Sequence, residues 1–390
     1  LKHLISLKSV QPSHGPVALS LGLAMESMES PSPSAEPMGT ERTAAEEAFM
    51  QEWPQLSLQA SSADYYFNSY NHYGVHEDVL KDSVTMIAFV KAILHNAHLF
   101  RGAVVLDVGA GLGILSLLAV KAGAKKVIAL ETQNELVMMG EKVARKNGVG
   151  PDVLEFVCGS AGTLEQLPDG LEQVDIVMGE WMGYFLMYES RLGEVLKARD
   201  RWLKPGGLMF PDRAKLYVAL MEDAQYVDRH FNYYAKVWGF DYSVMRAPAQ
   251  TEPVVNAFAP AQLLSTTPCV LDLDLRKCSV SDCFDMAAPF QCMCKREGKV
   301  HALLSWFEIR FDVCHKPVSF GTGPRSPATC WKQVAFFLNS SVPRHVRHNE
   351  RVRGMLAVRK RSEERRHLDI KIVLEEASSE EPQVHFYRWT

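Results

Sequence analysis

Val104-Val105-Leu106-Asp107-Val108-Gly109-Ala110-Gly111-Leu112-Gly113-Ile114-Leu115 is the stretch that most restricts how this chain can fold. A continuous apolar run of strand length stops at a glycine turn, and a helix pattern over residues 114–122 begins where the turn ends. The alternating glycines allow the backbone to approach a ligand closely. A second apolar run, Lys126-Val127-Ile128-Ala129-Leu130, ends on Glu131, placed to accept hydrogen bonds from a ribose diol. The pattern predicts an α/β, Rossmann-like domain with a pocket for an adenosine-containing cofactor. NAD and S-adenosylmethionine both meet that description. The Asp-Val-Gly-x-Gly-x-Gly form, in place of Gly-x-Gly-x-x-Gly, favours S-adenosylmethionine, which has no pyrophosphate to seat at a helix N-terminus.

Downstream, the strand-like Val174-Asp175-Ile176-Val177-Met178 gives way to Gly179-Glu180-Trp181-Met182-Gly183-Tyr184-Phe185-Leu186-Met187-Tyr188-Glu189-Ser190. A pair of glutamates is ordinarily solvated surface. Here both sit among aromatic and aliphatic residues that are normally buried, and desolvating an unpaired carboxylate is costly. A pocket for a cation resolves the conflict. A guanidinium fits best, being planar, permanently charged and rich in donors that two carboxylates can clamp.

Of the 390 residues, 47% are hydrophobic and 23% charged, which suits a globular chain long enough for two cores. The net charge of −4 argues against a nucleic-acid binder that relies on global charge and is compatible with a basic substrate. The eight cysteines include no C-x-x-C pair, so reduced thiols in a cytoplasmic or nuclear protein are expected, with neither a zinc site nor a disulfide framework. No apolar run approaches the roughly 20 residues of a membrane span, and no membrane association is expected.

Residues 1–44, rich in Ser, Pro, Met and Glu, read as a disordered leader. Residues 45–75 carry a possible short helix and the aromatic cluster Tyr65-Tyr66-Phe67-Asn68-Ser69-Tyr70. Residues 76–211 hold the cofactor-binding domain, and residues 212–390 show short alternating strands that predict a mainly antiparallel β-barrel or sandwich. Within the latter, about 224–245 is an aromatic-rich helical insertion.

The segment from Glu180 to Ser190 resembles the double-glutamate loop of the protein arginine methyltransferases. The resemblance runs from about Tyr65 to the end, through Ala122–Ile128, Ala198–Leu203, Gly239–Ser243 and Trp331-Lys332-Gln333. It implies a class I methyltransferase domain, a β-barrel domain with a dimerisation arm, and methyl transfer from S-adenosylmethionine to arginine, giving mono- and asymmetric dimethylarginine. Glu180 and Glu189 are the implied catalytic pair. Tyr70, His76, Asp107, Gly109, Gly111, Gly113 and Glu131 are implied around the donor. Tyr66, Asp82, Met182, Tyr184 and Trp331 are implied on the substrate side or in support of it. Glycine-arginine-rich or histone-like proteins are the implied substrates, and a homodimer or a heterodimer with a paralogue the implied assembly, with no direct contact to nucleic acid.

The departures fall at the chemistry. Thr85 stands where the family has an arginine that grips the donor's carboxylate, an exchange costing roughly 1.5–3 kcal/mol. Gly159-Ser160-Ala161-Gly162-Thr163 lacks the family's acidic residue for adenine, unless Glu165 moves in. Cys330 replaces the histidine of a Thr-His-Trp motif and leaves Asp82 without its charged partner. These losses leave a second expectation standing: a weak or inactive member that serves as the regulatory dimer partner of an active methyltransferase.

Overall fold

The computed structural model describes residues 73–339, 342–360, 367–375 and 382–389. Tyr66, Tyr70, the leader and the helix expected near Glu46 lie outside the described residues. Three helices open the described chain: α1 (Tyr73–Lys81), α2 (Ser83–Leu94) and the single turn α3 (Ala97–Phe100). Asp82 separates the first two, its side chain accepting from the backbone N–H groups of Val84 and Thr85 at the start of α2.

The apolar runs then build a five-stranded sheet from β1 (Val104–Val108), β2 (Lys126–Glu131), β3 (Leu154–Cys158), β4 (Val174–Met178) and β5 (Leu203–Phe210). Its order is β3-β2-β1-β4-β5 and all neighbours are parallel. Helices α4 (Ile114–Lys121), α5 (Asn134–Lys146) and α6 (Leu192–Trp202) connect the strands. Burial explains the continuous apolar composition: every residue of β2 is buried, as a strand covered by helices on both faces must be. The strand order reverses between β1 and β4, so the chain leaves both at one crevice, the position where open α/β sheets bind ligands. The glycine turn follows β1 and the double-glutamate loop follows β4, so both reach the same crevice.

The later strands are β6 (Arg213–Met221), β7 (Val254–Asn256), β8 (Cys269–Asp274), β9 (Asp285–Met293), β10 (Gly298–Val300), β11 (Ala302–Phe311) and β12 (Val318–Gly321). They continue as β13 (Gln333–Phe337), β14 (Arg344–Val346), β15 (Arg351–Lys360), β16 (Leu368–Leu374) and β17 (Gln383–Trp389). One antiparallel sheet runs β7-β13-β11-β6-β8 with β12 on β11, a second runs β17-β16-β15-β9, and β10 pairs with β14. Both larger sheets and the parallel sheet contribute side chains to one continuous hydrophobic core. The second domain is thus an antiparallel sheet structure seated against the first.

The aromatic insertion divides in two. Its helix α7 (Ala224–His230) is held down by Tyr226 and Phe231, whose rings lie 4.6 Å and 5.3 Å from Phe337. Beyond it, Trp238 is 93% and Phe240 68% exposed, before α8 (Arg246–Gln250) returns the chain to β7. Among the described residues, no helix is long and apolar enough to cross a membrane.

Candidate active site

The crevice between β1 and β4 opens into a cleft lined by His76, Gly109, Gly111, Glu180, Met182, Glu189 and Arg191 among others. The sequence motifs therefore converge on one wall: the glycine turn, the first helix and both loop glutamates. A smaller pocket adjoins it, lined by Gly109, Glu131, Thr132, Gly159, Ser160, Arg191 and Glu194.

The turn has little room for side chains. Gly109 and Gly111 have φ of 74° and 54°, in the left-handed region that glycine adopts without penalty. Gly113 caps α4 and packs under the Phe156 ring, where a Cβ would come within 2.6 Å of a ring carbon. It serves the seating of helix on strand and stands behind the cleft wall. Asp107 is also behind that wall, buried at the end of β1, with Ser116 Oγ donating to its Oδ2 at 2.6 Å. Burial pushes its carboxyl up to about 7, and Oδ1 has no hydrogen-bond partner among the described residues.

Glu131 is 1% exposed and occupied by its own chain. Its Oε1 accepts from the N–H groups of Thr132 and Gln133 at 2.7 and 3.2 Å, and its Oε2 accepts from Gly111 N–H at 2.9 Å. A ribose diol at this carboxylate has to share or displace the Gly111 bond.

The double-glutamate loop is a compact hairpin-like knot. Gly183 N–H donates to Leu186 O, Tyr188 N–H to Tyr184 O, and Ser190 Oγ to Trp181 O. Phe185, Leu186 and Glu189 all take left-handed backbone angles, φ 55°, 67° and 63°, an arrangement a non-glycine residue adopts only when its surroundings impose it. A Cβ on Gly183 would run into the Tyr188 carbonyl. The imposing surroundings are aromatic. Trp181 and Phe185 are fully buried, Tyr184 packs edge-on to Trp331 at 6.1 Å, and Tyr188 stacks on Trp389 at 4.3 Å and 8°. Tyr184 and Trp331 therefore brace the loop from the β domain. Trp389, at the far end of the chain, is a brace that sequence reasoning missed, because nothing local to β17 points at a loop two hundred residues earlier.

Between these braces the Glu180 carboxyl is pushed up to about 7, first by burial, with the Asp82 charge adding and the Arg191 charge opposing. Its Oε1 is buried without a hydrogen-bond partner among the described residues. A buried acceptor left open in this way is expected where a ligand supplies the donor.

Two expectations about the supporting residues change. Asp82 was expected to lack a partner once Cys330 replaced histidine, yet its Oδ2 accepts from Cys330 N–H at 2.9 Å and Thr85 Oγ1 at 3.1 Å, while Oδ1 caps α2. Backbone donors take over the tie between the helix and the Thr329-Cys330-Trp331 turn. Burial, reinforced by the Asp82 carboxylate, raises the Cys330 thiol far above its usual range, so the thiol stays neutral. Thr85, for its part, is 2% exposed and turned to Asp82, so it grips nothing in the cleft.

Arg191, the residue that precedes α6, and Glu194 in its first turn also escaped sequence reasoning. Arg191 Nη1 donates to Gly109 O at 3.3 Å and lies 3.6 Å from Glu131 Oε2. Glu194 accepts from Gly162 N–H at 3.3 Å and pairs with Lys197, and so places a carboxylate on the small pocket. Glu165 does not move in; its backbone oxygen accepts from Arg201.

A family model described as the arginine methyltransferase oligomerization subdomain matches residues 212–379, and one described as a methyltransferase domain matches residues 106–210. Protein arginine N-methyltransferase 1 of Caenorhabditis elegans is 40% identical over 315 residues, spanning 80% of this chain and 89% of that protein. The chain belongs to the protein arginine N-methyltransferase family. Protein arginine N-methyltransferase 8-B of Danio rerio is 41% identical over 317 residues, 81% of this chain and 74% of that protein. Among solved structures, a chain of the Trypanosoma brucei PRMT1 enzyme-prozyme heterotetrameric complex with AdoHcy superposes with a TM-score of 0.77 at 34% identity, covering 83% of this chain and all of that one. Arabidopsis thaliana protein arginine methyltransferase 10 gives 0.71 at 27% identity over 83% of this chain and 99% of its own. These relationships fix the fold class as Rossmann-like methyltransferase plus antiparallel β domain, and the enzyme class as methyltransferase.

Proposed function

We propose that this chain transfers a methyl group from S-adenosylmethionine to guanidino nitrogens of arginine in proteins, giving mono- and asymmetric dimethylarginine. The observation that carries this reading is the open Glu180 Oε1, buried at a cleft that Glu189 and the glycine turn also line. The residues suit the donor: His76, Gly109, Gly111 and both loop glutamates line one cleft. Glu131 and Glu194 offer carboxylates on the nucleoside side.

S-adenosylmethionine supplies an electrophilic methyl group carried on a sulfonium. The chain's own residues do the rest by placement. Glu180 and Glu189 clamp the guanidinium and aim one terminal nitrogen along the cleft, a positioning effect above all. Drawing the positive charge onto the held nitrogens leaves the attacking lone pair less delocalised. Methylation releases one proton from that nitrogen, and Glu180, whose carboxyl is already near neutrality, accepts it. Met182, buried between the glutamates on the cleft wall, limits the space beside the other terminal nitrogen and favours two methyls on one nitrogen. Glycine-arginine-rich and histone-like segments fit as substrates, since a flexible basic strand can feed an arginine into a narrow acidic cleft.

The test is methyl transfer to an arginine-containing peptide and to its lysine counterpart, read by mass spectrometry of the products. Methylation of the arginine peptide alone, with asymmetric dimethylarginine fragments, is expected; transfer to lysine or to neither peptide sinks the reading. We also propose that Trp238, Phe240 and Val244, all exposed, dock on a second copy or on a paralogue.

A second reading, the regulatory partner subunit, is favoured by Thr85 being tied to Asp82 and by Arg191 lying across the turn. Donor binding by the purified chain separates the two readings.

A further inference from the structure

Arg191 has no part in the steps above, yet it holds the middle of the site. Its backbone is pinned by donation of its N–H to Trp181 O at 2.8 Å. The side chain reaches from the start of α6 back over the glycine turn, to Gly109 O and the edge of Glu131. A Cβ built on Gly109 would meet the same Nη1 at 2.5 Å, so the guanidinium fills the space that this glycine keeps clear. Arg191 lines both pockets and forms the partition between the chamber of Glu180 and Glu189 and the chamber of Glu131 and Glu194. Its side chain is 27% exposed, so solvent screens its charge only in part. A ligand that spans from Glu131 to the paired glutamates has to pass it.

We infer that Arg191 sets the selectivity of the groove between methyl donor and demethylated product, because its guanidinium lines the chamber of Glu180 and Glu189, and of the two ligands only the donor brings a positively charged sulfonium. This rests on the methyl-donor reading above. S-adenosylmethionine and S-adenosylhomocysteine share adenosine, carboxylate and ammonium, so every contact to those parts cancels when their affinities are compared. The need to free Glu131 Oε2 for a ribose cancels for the same reason. What remains is one methyl group and one positive charge, in a chamber where the Arg191 guanidinium opposes the attraction of Glu180 and Glu189. Like charges held a few ångströms apart beside a protein surface repel strongly enough to change a binding ratio by about ten-fold.

Calorimetry with each ligand in turn tests this, on the full chain and on its Arg191→Gln and Arg191→Lys variants, at low and high salt. The expected result is that Arg191→Gln lowers the ratio of donor to product dissociation constants about ten-fold, mainly through tighter donor. Arg191→Lys keeps the ratio, and added salt narrows the difference in ratio between the unaltered chain and Arg191→Gln. Both ligands binding with an unchanged ratio in Arg191→Gln overturns the inference and leaves the donor reading intact. So does a variant that strengthens both ligands equally, which would make Arg191 an indifferent plug. Folded protein that binds neither ligand in any version removes the donor reading, and this inference with it.

Discussion

Near neutral pH the Glu180 carboxyl trades a proton with solvent, because burial has pushed it up to about 7 from an ordinary value of 4.5. Only the ionised form attracts a guanidinium. For an arginine peptide, kcat/KM should therefore rise with pH through about 7 and level off above it, and a pH–rate profile flat from 6 to 8 would count against the clamp. The same shift acts on stability. The folded state holds this proton more tightly than the unfolded chain, so this group's contribution to stability is fully present below about 4.5 and is lost as pH rises through about 7. Glu180→Gln escapes that decline and should be more stable than the unaltered chain at pH 8, by about 1–2 kcal/mol in urea denaturation. Asp82 is held in place by donors from Val84, Thr85 and Cys330. Asp82→Ala should cost about 2–3 kcal/mol through a lost cap and stranded donors, whereas Cys330→Ser, which keeps the backbone donor, should cost little. At this scale the motif residues were legible in the sequence because their spacing is local: Asp107, Glu131, Glu180 and Glu189 each end a strand or sit on one short loop. Arg191 and Glu194 were not, because their place depends on how α6 docks over the turn, which the helix's own pattern does not encode.

The double-glutamate loop is the element on which the site turns, and its shape is imposed from outside. Three left-handed non-glycine residues within five positions are held by a backbone approach at Gly183 and by aromatic rings from the β domain. Gly183→Ala should collapse that approach and abolish activity, with a lowered melting temperature. Trp389→Ala should leave the chain folded, remove a stacking contact of about 0.5–1.5 kcal/mol beyond burial, and reduce transfer chiefly in kcat. Unaltered kinetics in Trp389→Ala would show that the stack on Tyr188 does not matter to the clamp. Strands β1, β2 and β4 stood out as mainly apolar runs and α4 as the helix after the glycine turn, whereas β3 carries Glu155 and gave no such signal. β5 was less visible, since Lys204–Gly207 carries proline and glycines that read as a helix ending; the chain bulges there and rejoins the sheet at Leu208, opposite Ile176. β9 and β17 show no clean alternation, since Pro289 interrupts the first and a polar residue, His385, lies on the buried face of the second.

For the whole molecule, the strand reversal between β1 and β4 brings two distant motifs to one crevice, and the β domain packs against the loop that closes it. The insertion that carries Trp238 and Phe240 stands away from both cores, an exposure of aromatic surface that a partner would cover. Trp238→Ala with Phe240→Ser should shift the sedimentation of the purified chain toward a smaller species; identical sedimentation would place the interface elsewhere. The measurement that tests the paired carboxylates most directly is single-turnover methyl transfer to an arginine peptide, run beside donor binding, for the unaltered chain, Glu180→Gln and Glu189→Gln. Either substitution should lower transfer by about a hundred-fold or more while donor affinity stays within about three-fold. Variants that transfer methyl groups as fast as the unaltered chain would contradict the account at its centre.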